Sequence, residues 1–153
     1  TGLPTGSADF IWGEDAWCYV TDKDALVEEA ARLVRSGGVI AFTDWMEGDG
    51  LSGPEADRFM RFMTFPSILT LGDYGALLEK AGCAVTLSRD TGRFAPYAVL
   101  YIDMLTKQLT FDALRLIGYD TNRLNDLAGE LAFVRDLAYA GKIIQGMVVA
   151  RRS

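Results

Sequence analysis

The sequence predicts an α/β domain built on a sheet of about four strands with helices packed around it. Three observations predict it. A strand-like run, an amphipathic helix and a second, more apolar strand-like run follow one another within about 35 residues, which is the βαβ unit. Short β-branched and aromatic runs then alternate with helical periodicity to the end of the chain. Finally, 153 residues, half of them hydrophobic and 11% aromatic, suffice for a core without disulfides or a structural metal.

Asp9–Gly13 (Asp-Phe-Ile-Trp-Gly) reads as a short strand, because its aromatic and β-branched run follows the turn formers Thr5, Gly6 and Ser7. Thr21 is expected to cap a helix. Asp24, three residues on, completes a capping-box pattern, and Leu26, Ala30, Leu33 and Val34 share one helical face. Gly37-Gly38 should stop that helix, and Val39–Thr43 is the nearly continuous apolar run of a strand buried on both faces. The two strands of such a unit run parallel.

A loop is expected from Met46 to Gly53, after which Pro54 suits the first helical position. Phe59, Met60, Phe62 and Met63 give that helix an apolar side, and it ends before Pro66. Thr70 caps the next helix, where Leu71, Tyr74, Leu77, Leu78 and Ala81 keep helical spacing. Gly82 closes it and Cys83–Leu87 follows as a strand. Three helical stretches are expected at roughly 96–108, 111–118 and 122–139, the second capped by Thr110 and the third by Asp120 or Thr121. In the first of them Tyr97, Leu100, Tyr101, Met104 and Leu105 repeat at apolar-face spacing. Gly141 releases a last strand, Ile143–Ala150. Without a repeat, low-complexity tract or linker, residues 1–153 are expected to form one domain.

Composition narrows the function. Lys+Arg 15 against Asp+Glu 21 gives a net charge of −6, and no basic cluster exceeds Arg151-Arg152, so nucleic acid is not an expected partner. No apolar run approaches the roughly 20 residues that span a bilayer, and no signal-like segment opens the chain; a cytoplasmic location is the default expectation. There is no histidine. This removes the commonest general base, Ser-His and Cys-His nucleophile pairs and nearly every zinc arrangement, so no metal site is expected. Cys18 and Cys83 are far apart and fit no ligand spacing, which predicts reduced thiols. A start at Thr1 rather than Met suggests a processed, trimmed or fragmentary product.

Ligands of open α/β sheets collect beyond the carboxyl ends of parallel strands. Here those places are Gly13-Glu14-Asp15-Ala16-Trp17-Cys18-Tyr19 and Asp44-Trp45-Met46-Glu47. Two Trp, one Tyr and four carboxylates facing a common crevice suit a cationic or amine ligand. The plainer alternative is that the aromatics cover a core edge and the acids solvate it. Gly48-Asp49-Gly50-Leu51-Ser52-Gly53 matches GxGxxG, yet it is displaced from the strand end and lacks the acidic-tipped strand that should follow, so it reads as a loop. The Met and Phe run at 59–65, with Tyr97 and Tyr101, fits core or lid packing better than a pocket wall. Ser7, Ser36, Ser52 and Ser67 have no neighbouring base, which argues against a serine nucleophile.

A set of ordered motifs carries a family resemblance. It comprises Leu3-Pro4, Ala8-Asp9-Phe10-Ile11-Trp12, Glu14-Asp15-Ala16, Asp22-Lys23, Glu29-Ala30-Ala31-Arg32-Leu33-Val34, Gly37-Gly38 and Ala41-Phe42-Thr43-Asp44. It continues through Leu69-Thr70-Leu71, Tyr74, Leu77-Leu78-Glu79-Lys80-Ala81-Gly82 and Gly146-Met147. The run resembles the second half of S-adenosylmethionine-dependent methyltransferases of the Rossmann-like class I fold, especially the sarcosine and dimethylglycine N-methyltransferase branch.

The resemblance implies three parallel strands with the last inserted antiparallel, helices on both faces, and a helical substrate cover at 94–140. It places Leu3 and Pro4 at the adenine, and Gly13 to Ala16 beside the methionine moiety and sulfonium. It turns Trp17, Tyr19, Trp45 and Met46 toward an amine acceptor, leaving Glu14 or Asp15 to orient that amine or accept its proton. In-line methyl transfer needs positioning more than a strong base, which suits a chain lacking histidine. The family's glycine-rich first half has no counterpart here. The expectation is therefore weak or no binding of S-adenosylmethionine by the isolated chain, and an enzyme inactive on its own. Strand 9–13 would then be an edge, to be covered by a homodimer partner or a terminal segment. The competing readings are a non-catalytic module that binds a small cationic or apolar ligand or itself, and a regulatory chain that docks on an intact methyltransferase.

Overall fold

In the computed structural model, which describes residues 1–107 and 110–153, the sheet has four strands in the order β1-β2-β4-β3. Strand β1 (Ala8–Glu14) lies parallel to β2 (Val34–Glu47), and β4 (Ile143–Arg152) inserts antiparallel between β2 and β3 (Cys83–Asp90). β1, β2 and β3 thus share one direction. The connecting helices are α1 (Lys23–Leu33), α2 (Gly53–Met63), α3 (Leu71–Lys80), α4 (Phe94–Lys107), α5 (Thr110–Leu116) and α6 (Thr121–Tyr139). The expected α/β architecture is present, with helices on both faces.

Alternation along β2 separates the two cores. Ile40, Phe42 and Met46 face α1 and α3, where they pack with Val27, Ala31, Tyr74 and Leu78. Trp45 points the other way and joins Phe59, Phe65, Val134 and Leu137 under α2 and α6. Both cores continue onto β4 because Phe42 lies opposite Val148 and Glu47 opposite Ile143.

Several local boundaries differ from the sequence reading. Asp22, not Thr21, caps α1, its carboxylate accepting the Ala25 N–H at 2.9 Å, so Asp24 falls in the first turn instead of completing a box. Helix α1 ends at Leu33 because Val34 is already extended and pairs with Ala8. Gly37-Gly38 serves a bulge rather than a helix stop: pairing jumps from Ala8 opposite Val34 to Phe10 opposite Val39. A Cβ at Gly38 would stand 2.8 Å from the Asp9 carbonyl oxygen, which explains the glycine. Met46 and Glu47 belong to β2, held by Ile144 and Ile143 opposite, so the loop begins later than expected.

Gly53 opens α2, with Pro54 second, and the Glu55 carboxylate accepts from both the Ser52 N–H (2.9 Å) and its hydroxyl (2.8 Å). Thr70 and Asp120 cap α3 and α6 as the spacing predicts. Thr110 is the first residue of α5 rather than its cap, and the expected end of the preceding helix at 108 lies outside the described residues. No helix among the described residues is long and apolar enough to cross a membrane.

Glu55 also joins α2 to the start of β4, receiving Lys142 Nζ at 2.7 and 2.9 Å. The Lys142 ammonium foremost, then the Ser52 N–H and hydroxyl, hold this carboxyl down at about 2. The folded chain therefore binds that proton less readily than the unfolded chain, whose glutamate titrates near 4.5. The resulting stabilisation is complete above that value and is lost as the pH falls from about 4.5 to about 2. Thermal melts of Glu55→Gln should show a flatter dependence on pH in this window than the parent chain; parallel curves would count against the pair's role.

Candidate active site

The backbone after β1 is bent sharply by its own hydrogen bonds. The Asp15 N–H donates to the Thr43 carbonyl at 2.8 Å, extending the β1–β2 ladder by one step, and Asp15 then adopts φ 47°. A left-handed aspartate is uncommon and is sustained only by firm surroundings. A 3₁₀ turn at Trp17–Tyr19 follows and lays the Trp17 ring on Phe42, with centroids 3.9 Å apart. Gly13 lies beneath that ring, where a Cβ would stand 2.4 Å from the indole nitrogen.

Two buried ionisable groups hold the loop in place. Asp44 on β2 is fully buried and accepts the Cys18 N–H at 3.0 Å and the Tyr74 hydroxyl at 2.6 Å. Burial raises its carboxyl above the usual carboxylate range, with the Tyr74 and Cys18 donors acting in opposition. The same burial, with the Asp44 charge second, pushes the Cys18 thiol up to about 12 and raises the Tyr74 phenol. Cys18 is therefore an inert thiol. Lys23, also buried, donates to the carbonyls of Cys18 and Val20 and to the Ser67 hydroxyl, tying the loop to the segment before α3. Desolvation lowers its ammonium, partly offset by Asp44.

A cavity of about 690 Å³ opens beyond the carboxyl ends of β1 and β2. Glu14, Asp15, Arg93 and Gln145 give it polar lining, and Trp45 and Phe94 are among its aromatic residues. α2 contributes Phe62 and Met63, α4 contributes Tyr97, Tyr101 and Met104, and α6 contributes Leu131 and Val134. Gln145 Nε2 donates to Asp15 Oδ2 at 2.7 Å, while Asp15 Oδ1 is buried with no donor. The Thr91 hydroxyl, 2.9 Å from Gln145 Oε1, fixes the amide the other way round.

Of the residues singled out from the sequence, Glu14, Asp15 and Trp45 reach this cavity. Trp17 and Met46 do not: both are buried in the core beneath α1 and α3. For Met46 the reason is strand parity, since a neighbour of Trp45 must face the opposite side. Tyr19 is exposed and meets Phe65 edge-on, away from the cavity lining. Asp44 and Glu47 are not part of a common acidic crevice either, Asp44 being sealed under Tyr74. Gly13 is buried behind the loop and Ala16 is exposed on it. Leu3 and Pro4 are exposed, the Leu3 carbonyl accepting Arg32 Nη2 at 2.9 Å.

The Met and Phe run and the α4 tyrosines are divided between core and cavity: Phe59 is core, whereas Phe62, Met63, Tyr97 and Tyr101 line the opening. Gln145 and Arg93 escaped the sequence reading. Gln145 becomes visible only once β4 is set beside β2, which puts it opposite Trp45. Among the described residues no group of His, Cys, Asp or Glu converges to hold a metal ion.

Comparison with known proteins matches residues 1–42 to the methyltransferase domain family. A sarcosine/dimethylglycine N-methyltransferase of Halorhodospira halochloris is 35% identical over 77 residues, covering 46% of this chain and 28% of the relative. The first part of the chain is thus similar to methyltransferases in sequence. The solved structures agree on the fold. A protein of Galdieria sulphuraria assigned as a sarcosine dimethylglycine methyltransferase superposes with a TM-score of 0.83 at 22% identity, covering 99% of this chain and 56% of that one. The geranyl diphosphate C-methyltransferase of Streptomyces coelicolor A3(2), solved with Mg²⁺, geranyl diphosphate and S-adenosyl-L-homocysteine, gives 0.75 at 15% identity, covering 100% and 49%. The chain thus spans about half the length of these solved relatives, and its match covers less than a third of the curated one.

If Asp44 anchors the loop, removing its hydroxyl donor in Tyr74→Phe should lower the unfolding free energy by about 1.5–3 kcal/mol. Asp44→Ala, which leaves the Cys18 N–H and the Tyr74 hydroxyl unmet in the core, should cost about 3–5 kcal/mol. Urea titrations measure both; a loss below about 0.5 kcal/mol in each would remove the anchor.

Proposed function

We propose that this chain forms the acceptor side of an S-adenosylmethionine-dependent methyltransferase that acts on a small-molecule amine. The observation that carries the reading is the cavity at the carboxyl ends of β1 and β2, with one oxygen of the lining Asp15 carboxylate buried and unmatched. The residues suit the methyl donor as well. At the strand end the Glu14 and Asp15 carboxylates and the Trp45 ring favour a cationic sulfonium. Bound there, the donor would supply the methyl group carried on its sulfur.

In this reading Leu3 and Pro4 border the adenine, and the backbone of Gly13 and Ala16 flanks the methionine moiety. Asp15, steadied by Gln145, orients the amine and takes up its proton, and the neighbouring Glu14 holds the second negative charge at the opening. Trp45 faces the acceptor, while Trp17 and Met46 support the loop and strand from the far side. The helices within 94–140 form the cover that keeps water from the nitrogen. The relatives named for sarcosine and dimethylglycine methylation support an amine acceptor.

The test is transfer of labelled methyl from S-adenosylmethionine to a panel of amines, using the product of the complete reading frame. Transfer is expected, and Asp15→Asn should slow it about 10²-fold. A product that neither binds S-adenosylmethionine nor transfers label would favour a non-catalytic ligand-binding module instead.

The same proposal includes a partner. β1 is an edge of the sheet, and Phe10 and Trp12 stand 55% and 48% exposed beside it, their rings stacked at 6.5 Å. A second copy of the chain, paired along this edge, would satisfy the backbone and cover both rings. Sedimentation should give a dimer that dissociates in Trp12→Lys; a monomer at tens of micromolar protein would exclude it.

A further inference from the structure

We propose that the acceptor is an amphiphile, an amine carried on a long apolar body, whose nitrogen sits on Asp15 while the body runs beneath α4. The role of the nitrogen as methyl acceptor rests on the reading above; the mode of binding does not.

Size is the first argument. Cavities of roughly 300–1,000 Å³ enclose drug-sized molecules, and this one measures about 690 Å³. Sarcosine has half a dozen non-hydrogen atoms and, in the chain without methyl donor, would leave most of that space to water.

The character of the wall is the second. Tyr97, Leu100 and Tyr101 line the cavity from one side of α4 and remain 55%, 62% and 52% exposed. Apolar spacing along a helix normally marks a face buried in the core. Here that face lines the same cavity as Trp45 of β2 and is left exposed, so a ligand with its own apolar surface would cover it.

The third argument is the balance of charge. Among the described lining residues Glu14 and Asp15 outnumber the one cation, Arg93, which favours a cationic or N–H donor head over an acid. Gln145 Nε2 holds the Asp15 carboxylate at Oδ2, while Thr91 engages the amide oxygen and Oδ1 stays buried without a donor. The Asp15 and Glu14 carboxylates at the lining offer an amine head acceptors and opposite charge. A zwitterionic amino acid would instead bring its carboxylate up to Glu14 and Asp15, a repulsive arrangement.

The experiment is a calorimetric titration of the chain, without methyl donor, with butylamine, hexylamine, octylamine and decylamine, and with decanol and sarcosine as controls. Affinity should rise about threefold per added methylene. Decylamine should bind at least 100-fold more tightly than sarcosine. Asp15→Asn should weaken decylamine about tenfold and leave decanol unchanged, and Tyr97→Ala, at an exposed position, should weaken decylamine more than butylamine. Affinity independent of chain length, or sarcosine binding as tightly as decylamine, overturns the proposal. Equal losses for decylamine and decanol in Asp15→Asn overturn the placement of the nitrogen. Because no methyl donor is present, chain-length-dependent binding together with absent methyl transfer would sink the catalytic reading alone.

Discussion

The buried carboxylate of Asp44 is the constraint on which the site depends. It lies in the apolar layer between the sheet and α3, where an ionised group is tolerated only with its hydrogen bonds met. Cys18 N–H and the Tyr74 hydroxyl meet them, and in doing so they join the loop after β1 to α3 across β2. With that loop fixed at Cys18, and again by Lys23 at Val20, the stretch between Gly13 and Cys18 has little freedom. Asp15 can then be held in a left-handed conformation at the cavity wall, with one oxygen bound by Gln145 and the other buried.

Charge is distributed between two levels. The inner level, Asp44 with Lys23, is inaccessible and positions the backbone. The outer level, Glu14 and Asp15 with Gln145, faces the opening and is free to meet a ligand. Adjacent residues of one strand serve both levels, because Asp44 points beneath α3 while Trp45 points at the cavity.

Much of this fold was legible in the residues. Asp9–Gly13 and Val39–Thr43 announced two strands by composition, and the Thr70 and Asp120 caps marked helix starts. Boundaries that depend on pairing were not legible: Gly37-Gly38 reads locally as a helix stop, yet the glycines are needed where β2 bulges past Asp9. The residues beyond the strand ends divide between cavity and core in the structure. Alternation alone could have separated Trp45 from Met46, whereas the burial of Asp44 beneath Tyr74 depends on where α3 docks. Gln145 had no local signal, since its position follows from the insertion of β4 between strands far from it in the chain. Tyr97 and Tyr101 kept their helical spacing, but spacing cannot tell a wall facing protein from one facing a void.

The placement of α4 to α6 has a consequence for how such a molecule diversifies. These helices leave the sheet from β3 and return to it in β4, its immediate neighbour, so topologically they are an enlarged hairpin connection. Loops of that kind tolerate changes of length and sequence at little thermodynamic cost, because their ends are already held together. Mutation and recombination can therefore remodel the ceiling of the chamber while the ladder of β2 and β4 stays intact. New molecular guests become accessible to evolution without risk to the framework that receives them.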